Sequence, residues 1–140
     1  MPTILVALQF GLIGLIAVRM EPARAGLAFW ALLAAGVLVG AWALAANRPG
    51  NFNIRPEPKE GAVLVTHGPY RWVRHPMYLA VTIAMAAFCV AGDAWQWALL
   101  AALLGVLAAK AAREERGLAV AHPAYAGYRA RTRAILPFIF

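Results

Sequence analysis

Residues 26–47 read GLAFWALLAAGVLVGAWALAAN, without one charged side chain. About 20 apolar residues is the length an α-helix needs to cross the hydrocarbon core of a bilayer. Apolar residues cover every face of this stretch, not one stripe, so the helix it forms needs an apolar environment all round. The rest of the 140-residue chain follows the same pattern. It is 63% hydrophobic and only 14% charged, where soluble domains average about a quarter charged. Met1 to Val18 carries no charge, and between Pro76 and Ala109 the only charge is Asp93.

These runs predict an all-α integral membrane protein of a single domain, residues 1–140. It has about four transmembrane helices, near residues 3–18, 26–46, 77–91 and 95–109. The first is short and spans with mild tilt or local thinning. Gly92 and Asp93 make the turn between the last two. No positive residue precedes the first run and no small-x-small cleavage site follows it, so it is read as a span and not a cleaved leader.

Lys and Arg set the orientation. The loop 47–76 holds Arg48, Arg55, Lys59, Arg71 and Arg74, and the segment 110–140 holds Lys110, Arg113, Arg116, Arg129, Arg131 and Arg133. The loop after the first span has only Arg19 and Arg24. Eleven basic residues against two place both termini and the middle loop in the cytoplasm, with a bacterial inner membrane the expected location. The net charge of +7 is then mostly a membrane-surface feature. Nothing resembles a groove-reading helix or a base-stacking platform, so nucleic acid is not an expected partner. Cys89 stands alone in an apolar run and reads as a small buried hydrophobe.

The loop 47–76 is the informative part. Asn47 to Gly61 is rich in Pro, Gly and Asn and reads as irregular, and Gly68-Pro69 is a turn signal. His75-Pro76 starts the third helix, because Pro suits the first helical position and pushes its predecessor out of helix. The fourth helix runs on past the membrane. Trp95 to Ala121 contains no Pro, and at 1.5 Å per residue is about 40 Å long. On it Lys110, Glu114 and Leu118 share a face, while Glu115 points about 100° away. His122-Pro123 breaks the helix, and Tyr125, Tyr128 and Arg131 mark one more short cytoplasmic helix. Leu136-Pro137-Phe138-Ile139-Phe140 is an apolar end that can return to the interface.

Three stretches resemble the isoprenylcysteine carboxyl methyltransferase family and its relatives, which include phospholipid N-methyltransferases. They are Asn51-Phe52-Asn53, the block from Leu64 to Tyr78 (LVTHGPYRWVRHPMY), and Glu114-Glu115 followed by Leu118, Tyr125, Tyr128 and Leu136-Pro137-Phe138. The resemblance covers roughly residues 50–140. It implies a methyltransferase that uses S-adenosylmethionine without a Rossmann domain, with the cofactor at the cytoplasmic ends of the last two spans. Carried over by motif, cofactor contacts fall on Glu57, Ala62, Val63, Leu64, Val65, Tyr70, His75, Pro76, Met77, Tyr78 and Glu114. Lys110 stands where carboxylate-methylating members carry an acceptor-binding Arg, and gives up that residue's bidentate grip. Ala80 and His122 stand where many members have Gly.

The residues suit that chemistry. A sulfonium donor is already activated, so donor and acceptor need orientation and exclusion of water, not a metal. A helix starting at Pro76 leaves N–H groups on Met77 and Tyr78 for a cofactor carboxylate. Glu114 can accept from ribose hydroxyls or an ammonium, and Tyr70 or Tyr78 can stack on adenine or line the sulfonium. Lys110 and Glu115 are the candidate catalytic residues. Lys110 can hold an anionic acceptor. An amine acceptor must first lose a proton, with Glu115 or His75 as base. The acceptor expected is lipid-like or lipidated, with carboxylate O-methylation favoured and phospholipid amine N-methylation the alternative.

Each residue also has a plainer reading. His75 can cap the third helix, Glu114 and Glu115 can be a solvated face, Tyr70 and Tyr78 can be belt aromatics, and Lys110 can snorkel. Trp30, Trp42, Trp95 and Trp97 read as interfacial or packing residues. Arg131 and Arg133 are expected to meet phosphates of membrane lipids. His67 and His122 lack metal-ligand spacing, so no metal is expected. Two other function classes stand beside the methyltransferase: an NADPH-dependent membrane reductase, which shares a His-Pro-x-Tyr ending, and a non-enzymatic four-span protein. A proton-coupled exporter wants a carboxylate inside a span, and the sequence offers none there.

Overall fold

The computed structural model describes residues 2–47 and 63–137. The described residues are all-helical, with five α-helices and no strand: α1 (Pro2–Val18), α2 (Leu27–Ala46), α3 (Pro76–Val90), α4 (Ala94–Ala121) and α5 (Tyr125–Ala130). Short 3-10 turns lie at Pro22–Arg24 and Gly68–Arg71. α2 and α4 are long and apolar enough to cross a membrane, and α1 and α3 are shorter apolar helices. Only 17% of the most apolar window of α2 is buried inside the protein. Its side chains, Leu27, Trp30, Val37 and Leu38 among them, face outward, which is the reverse of a water-soluble core helix.

Local chemistry fixes the helix ends. Pro76 occupies the first turn of α3, after a non-helical His75. Asp93 caps α4: its Oδ1 accepts from the Trp95 N–H at 2.9 Å, and its own N–H donates to Gln96 Oε1 at 2.8 Å. The Gln96 amide also donates to the Ile16 carbonyl at 2.8 Å and so ties the end of α1 to the α3–α4 turn. A Cβ at Gly92 would lie 1.3 Å from Gln96 Oε1, so a side chain there would push the Gln96 amide out of these hydrogen bonds. α4 ends at His122, as the His122-Pro123 break predicts.

α2 lies along α3, and α4 packs on both α3 and α1. The α2–α3 contact is close because its residues are small. A Cβ on Gly36 would meet the Ala84 backbone nitrogen at 2.8 Å and the Ala80 carbonyl at 3.0 Å, while Gly40 faces the Ala80 methyl. The main core joins Ile16 of α1, Met85 and Cys89 of α3, and Leu100, Leu103, Leu107 and Ala111 of α4. Ala134 and Ile135 from the C-terminal segment complete it.

That segment is a strap across the loop ahead of α3. Arg133 donates its N–H to the Trp72 carbonyl at 3.0 Å, and the Arg74 and His75 N–H groups donate to the Arg133 and Ala134 carbonyls at 2.8 and 2.9 Å. Val73 and Arg133 thereby form an isolated parallel bridge. α5 adds the Tyr128 hydroxyl, which donates to the Tyr70 carbonyl at 2.7 Å. Gly68 makes the loop's turn at a φ of 60°, the left-handed region that glycine tolerates. Its missing side chain also leaves room for Ala46, which a Cβ would approach to 2.8 Å.

Candidate functional site

The strap holds the backbone of 72–75 in place, and this aims two side chains at the acidic turn of α4. Arg74 Nε donates to Glu115 Oε1 at 2.7 Å, and both side chains are about nine-tenths buried. Arg74 Nη1 donates to the Thr132 carbonyl at 2.5 Å, so the guanidinium also grips the strap. His75 sits between the two carboxylates, Nδ1 at 3.2 Å from Glu114 Oε2 and Nε2 at 3.2 Å from Glu115 Oε1. Glu115, although 100° from Glu114 around the helix, thus reaches the same imidazole from its other edge. A neutral imidazole has one N–H; facing two carboxylates, the ring has use for two.

The electrostatics agree. Burial alone pulls His75 down, but hydrogen bonds to Glu114 and Glu115 and their charges outweigh it, and its pKa is raised above the usual 6.5. Burial pushes Glu115 up, but hydrogen bonds to His75 and Arg74, with their charges, bring its pKa down to about 2. The cluster therefore holds the Glu115 carboxylate beside the Arg74 guanidinium and favours the protonated form of His75.

Glu114 is the more open acid, with its side chain 20% exposed. Its Oε1 accepts from the Tyr78 hydroxyl, and the Tyr78 ring stacks on the His75 ring with centroids 5.3 Å apart. Lys110, one turn earlier on α4, is buried, with its ammonium 5.3 Å from the centre of the Tyr78 ring. It donates to Gln9 Oε1 of α1 at 2.5 Å. Gln9 was not a site residue on sequence grounds. Its only signal is that it is the one amide side chain in the apolar run 3–18.

The structure therefore brings Tyr70, His75, Tyr78, Lys110, Glu114 and Glu115 to one end of the bundle. Tyr70 is buried against Val65 and Ala43, and its hydroxyl accepts from Asn47 Nδ2 at 3.2 Å. Burial raises its pKa first, the Asn47 hydrogen bond opposes this, and the charge of Glu114 adds to the rise. Pro76 is fully buried and Met77 packs beside the Tyr70 cluster. Leu64 is half-buried and Val63 exposed. One expectation is corrected: the Tyr78 N–H is not open to a ligand carboxylate, because it donates to the His75 carbonyl at 3.0 Å. Glu57, Ala62 and Asn51-Phe52-Asn53 lie outside the described residues. Among the described residues, no three of His, Cys, Asp and Glu cluster in a way that would hold a metal ion.

This arrangement can hold a cationic, hydroxyl-bearing molecule. Each Glu114 oxygen has a protein donor and retains acceptor capacity, since an ionised carboxylate takes about four hydrogen bonds. The donor set fits S-adenosylmethionine, whose ammonium, sulfonium and ribose hydroxyls all favour a carboxylate partner.

Comparison with known proteins agrees with this chemistry. The model of the isoprenylcysteine carboxyl methyltransferase (ICMT) family matches residues 27–120, well over half of the chain. No curated protein and no solved structure matches.

Proposed function

Because the chain belongs to the isoprenylcysteine carboxyl methyltransferase family, we propose that it is a membrane methyltransferase that moves a methyl group from S-adenosylmethionine to a lipid-like or lipidated carboxylate. One observation carries the reading: His75, from the loop ahead of α3, lies within 3.2 Å of both Glu114 and Glu115 of α4. The loop and the acidic turn thus meet at one imidazole.

In this reading the chain is one membrane domain. α1, α2, α3 and the first 16 residues of α4, Ala94 to Ala109, all cross the bilayer, with the basic loop, the strap and both termini on the cytoplasmic side. The charge asymmetry of the sequence supports that topology, and so do the outward-facing apolar side chains of α2.

S-adenosylmethionine, when bound, supplies an activated methyl that needs only in-line approach of a nucleophile. Glu114 binds its ammonium or ribose hydroxyls. Tyr70, Tyr78 and the backbone of Val63 to Val65 line its place, as do Pro76 and Met77, with Glu57 and Ala62 on the loop. His75 and Arg74 hold Glu114 and Glu115 in position. Lys110, steadied by Gln9, faces the acceptor and attracts its negative charge. The apolar tail of the acceptor reaches this end sideways between helices, and the low-water environment keeps the carboxylate nucleophilic.

The state of the cluster favours a carboxylate over an amine. An amine acceptor needs a base, yet the two carboxylates favour the protonated form of His75, and Glu115 is a weak base with its pKa at about 2. Carboxylate methylation asks for positioning alone. The test is methyl transfer from labelled S-adenosylmethionine into a membrane lipid extract, with the product treated with mild base. A methyl ester releases the label as methanol, and an N-methyl lipid retains it. Retained label would assign the amine reaction, and absence of label in any lipid would contradict the function.

A further inference from the structure

On the other side of α4 from Lys110, a cavity of about 570 Å³ opens between that helix and the strap. Its floor is made of methyl groups from Ala108, Ala112 and Ala119 of α4, and its rim carries Arg116, Arg129 and Arg133. Inside lies the buried Arg74–Glu115 pair, whose charges offset each other. Four guanidiniums against one carboxylate leave an excess of three positive charges (4 − 1 = 3) around an apolar floor. Of this lining, the proposed methyl transfer uses only the Arg74–Glu115 pair, as a support for the site on the far side of α4.

We propose that the cavity binds the phosphodiester headgroup of an anionic phospholipid. Two features fix the class of ligand. The excess charge and the planar forks of arginine suit phosphate oxygens. The position on α4 then favours a lipid over a free phosphate. Ala108 lies one residue before the end of the uncharged stretch Ala94 to Ala109, and Lys110, Arg113 and Arg116 follow within two turns of that end. The cavity straddles the level where hydrocarbon gives way to headgroups, so a phosphate among the arginines sends its acyl chains down the alanine face of α4. A volume of about 570 Å³ also exceeds what a bare phosphate fills and lies within the range of sites for larger ligands. The bound headgroup bridges α4 and the strap, and so braces the segment that positions Arg74 and His75. The inference depends on α4 lying in a membrane and not on methyl transfer.

The experiment follows thermal unfolding of the full chain in an uncharged detergent during titration with short-chain phosphatidylglycerol, short-chain phosphatidylcholine or inorganic phosphate at constant ionic strength. Phosphatidylglycerol alone raises the midpoint. Arg116→Gln with Arg133→Gln weakens its half-saturation about 30-fold, at roughly 1 kcal/mol for each arginine near an anionic lipid. Ala112→Leu, which fills the floor and keeps every charge, also removes the shift. Arg131→Gln, an exposed arginine outside the cavity, retains it. Equal shifts from phosphatidylcholine or inorganic phosphate overturn the assignment, as does an undiminished phosphatidylglycerol shift in either cavity variant.

Discussion

The Arg74 guanidinium donates from Nε to Oε1 of Glu115 at 2.7 Å, joining the loop ahead of α3 to the acidic turn of α4 through a pair that water scarcely reaches. Such a pair matters most when half of it is removed, since the remaining charge stays buried with less compensation. Glu115→Ala is expected to destabilise the protein by about 3–5 kcal/mol. Glu114, more exposed, is expected to tolerate Ala with a much smaller loss. Thermal unfolding of the two variants side by side checks the contrast; equal losses would mean that Glu115 is not the structural member of the pair.

Stability should depend on pH at two limbs. The raised pKa of His75 means its contribution is fully present below about 6.5 and is lost as pH rises through the higher folded value. The depressed pKa of Glu115 means its contribution is present above the ordinary 4.5 and is lost as pH falls toward about 2. Unfolding midpoints measured across pH should decline on both sides, and His75→Gln should flatten the alkaline decline and also weaken the acid one, since His75 helps hold the Glu115 pKa down.

Much of this fold is legible in the sequence because proline and glycine punctuate it. α3 begins at Pro76, α4 follows the Gly92-Asp93 turn, and α4 stops before Pro123. The uncharged runs are equally plain, since each is a helix-length property of consecutive residues. The strap is not: Arg133 and Ala134 pair with Trp72, Arg74 and His75 through backbone groups, which leave no trace in side-chain pattern. The Lys110–Gln9 bond joins residues about 100 positions apart and has no periodicity to betray it. Helical phase also misled in one respect. It set Glu115 apart from Glu114, whereas the wide imidazole of His75 spans both.

Gln9 gives the Lys110 ammonium an acceptor at 2.5 Å from within an apolar helix. Gln9→Leu is expected to cost about 1.5–3 kcal/mol, the range for a hydrogen bond to a charged group. It should also slow turnover while S-adenosylmethionine affinity stays nearly intact. Lys110→Ala should show the same kinetic split, and an unchanged rate in that variant would remove Lys110 from the mechanism.

Two neighbouring tyrosines should respond oppositely to loss of a hydroxyl. The Tyr128 hydroxyl donates to the Tyr70 carbonyl at 2.7 Å, so Tyr128→Phe is expected to destabilise by about 1–3 kcal/mol. The Tyr125 hydroxyl is buried with no hydrogen-bond partner among the described residues, so Tyr125→Phe should leave the unfolding midpoint unchanged or raise it. Paired melting curves of the two variants decide this.

In the proposed function Glu114, held beside His75 and Tyr78, grips the methyl donor. Equilibrium binding of S-adenosylmethionine to the purified parent and to Glu114→Ala, both in detergent, tests it most directly. Micromolar binding to the parent is expected, and none detectable to a variant that still inserts and folds. Equal binding by the two proteins would contradict it.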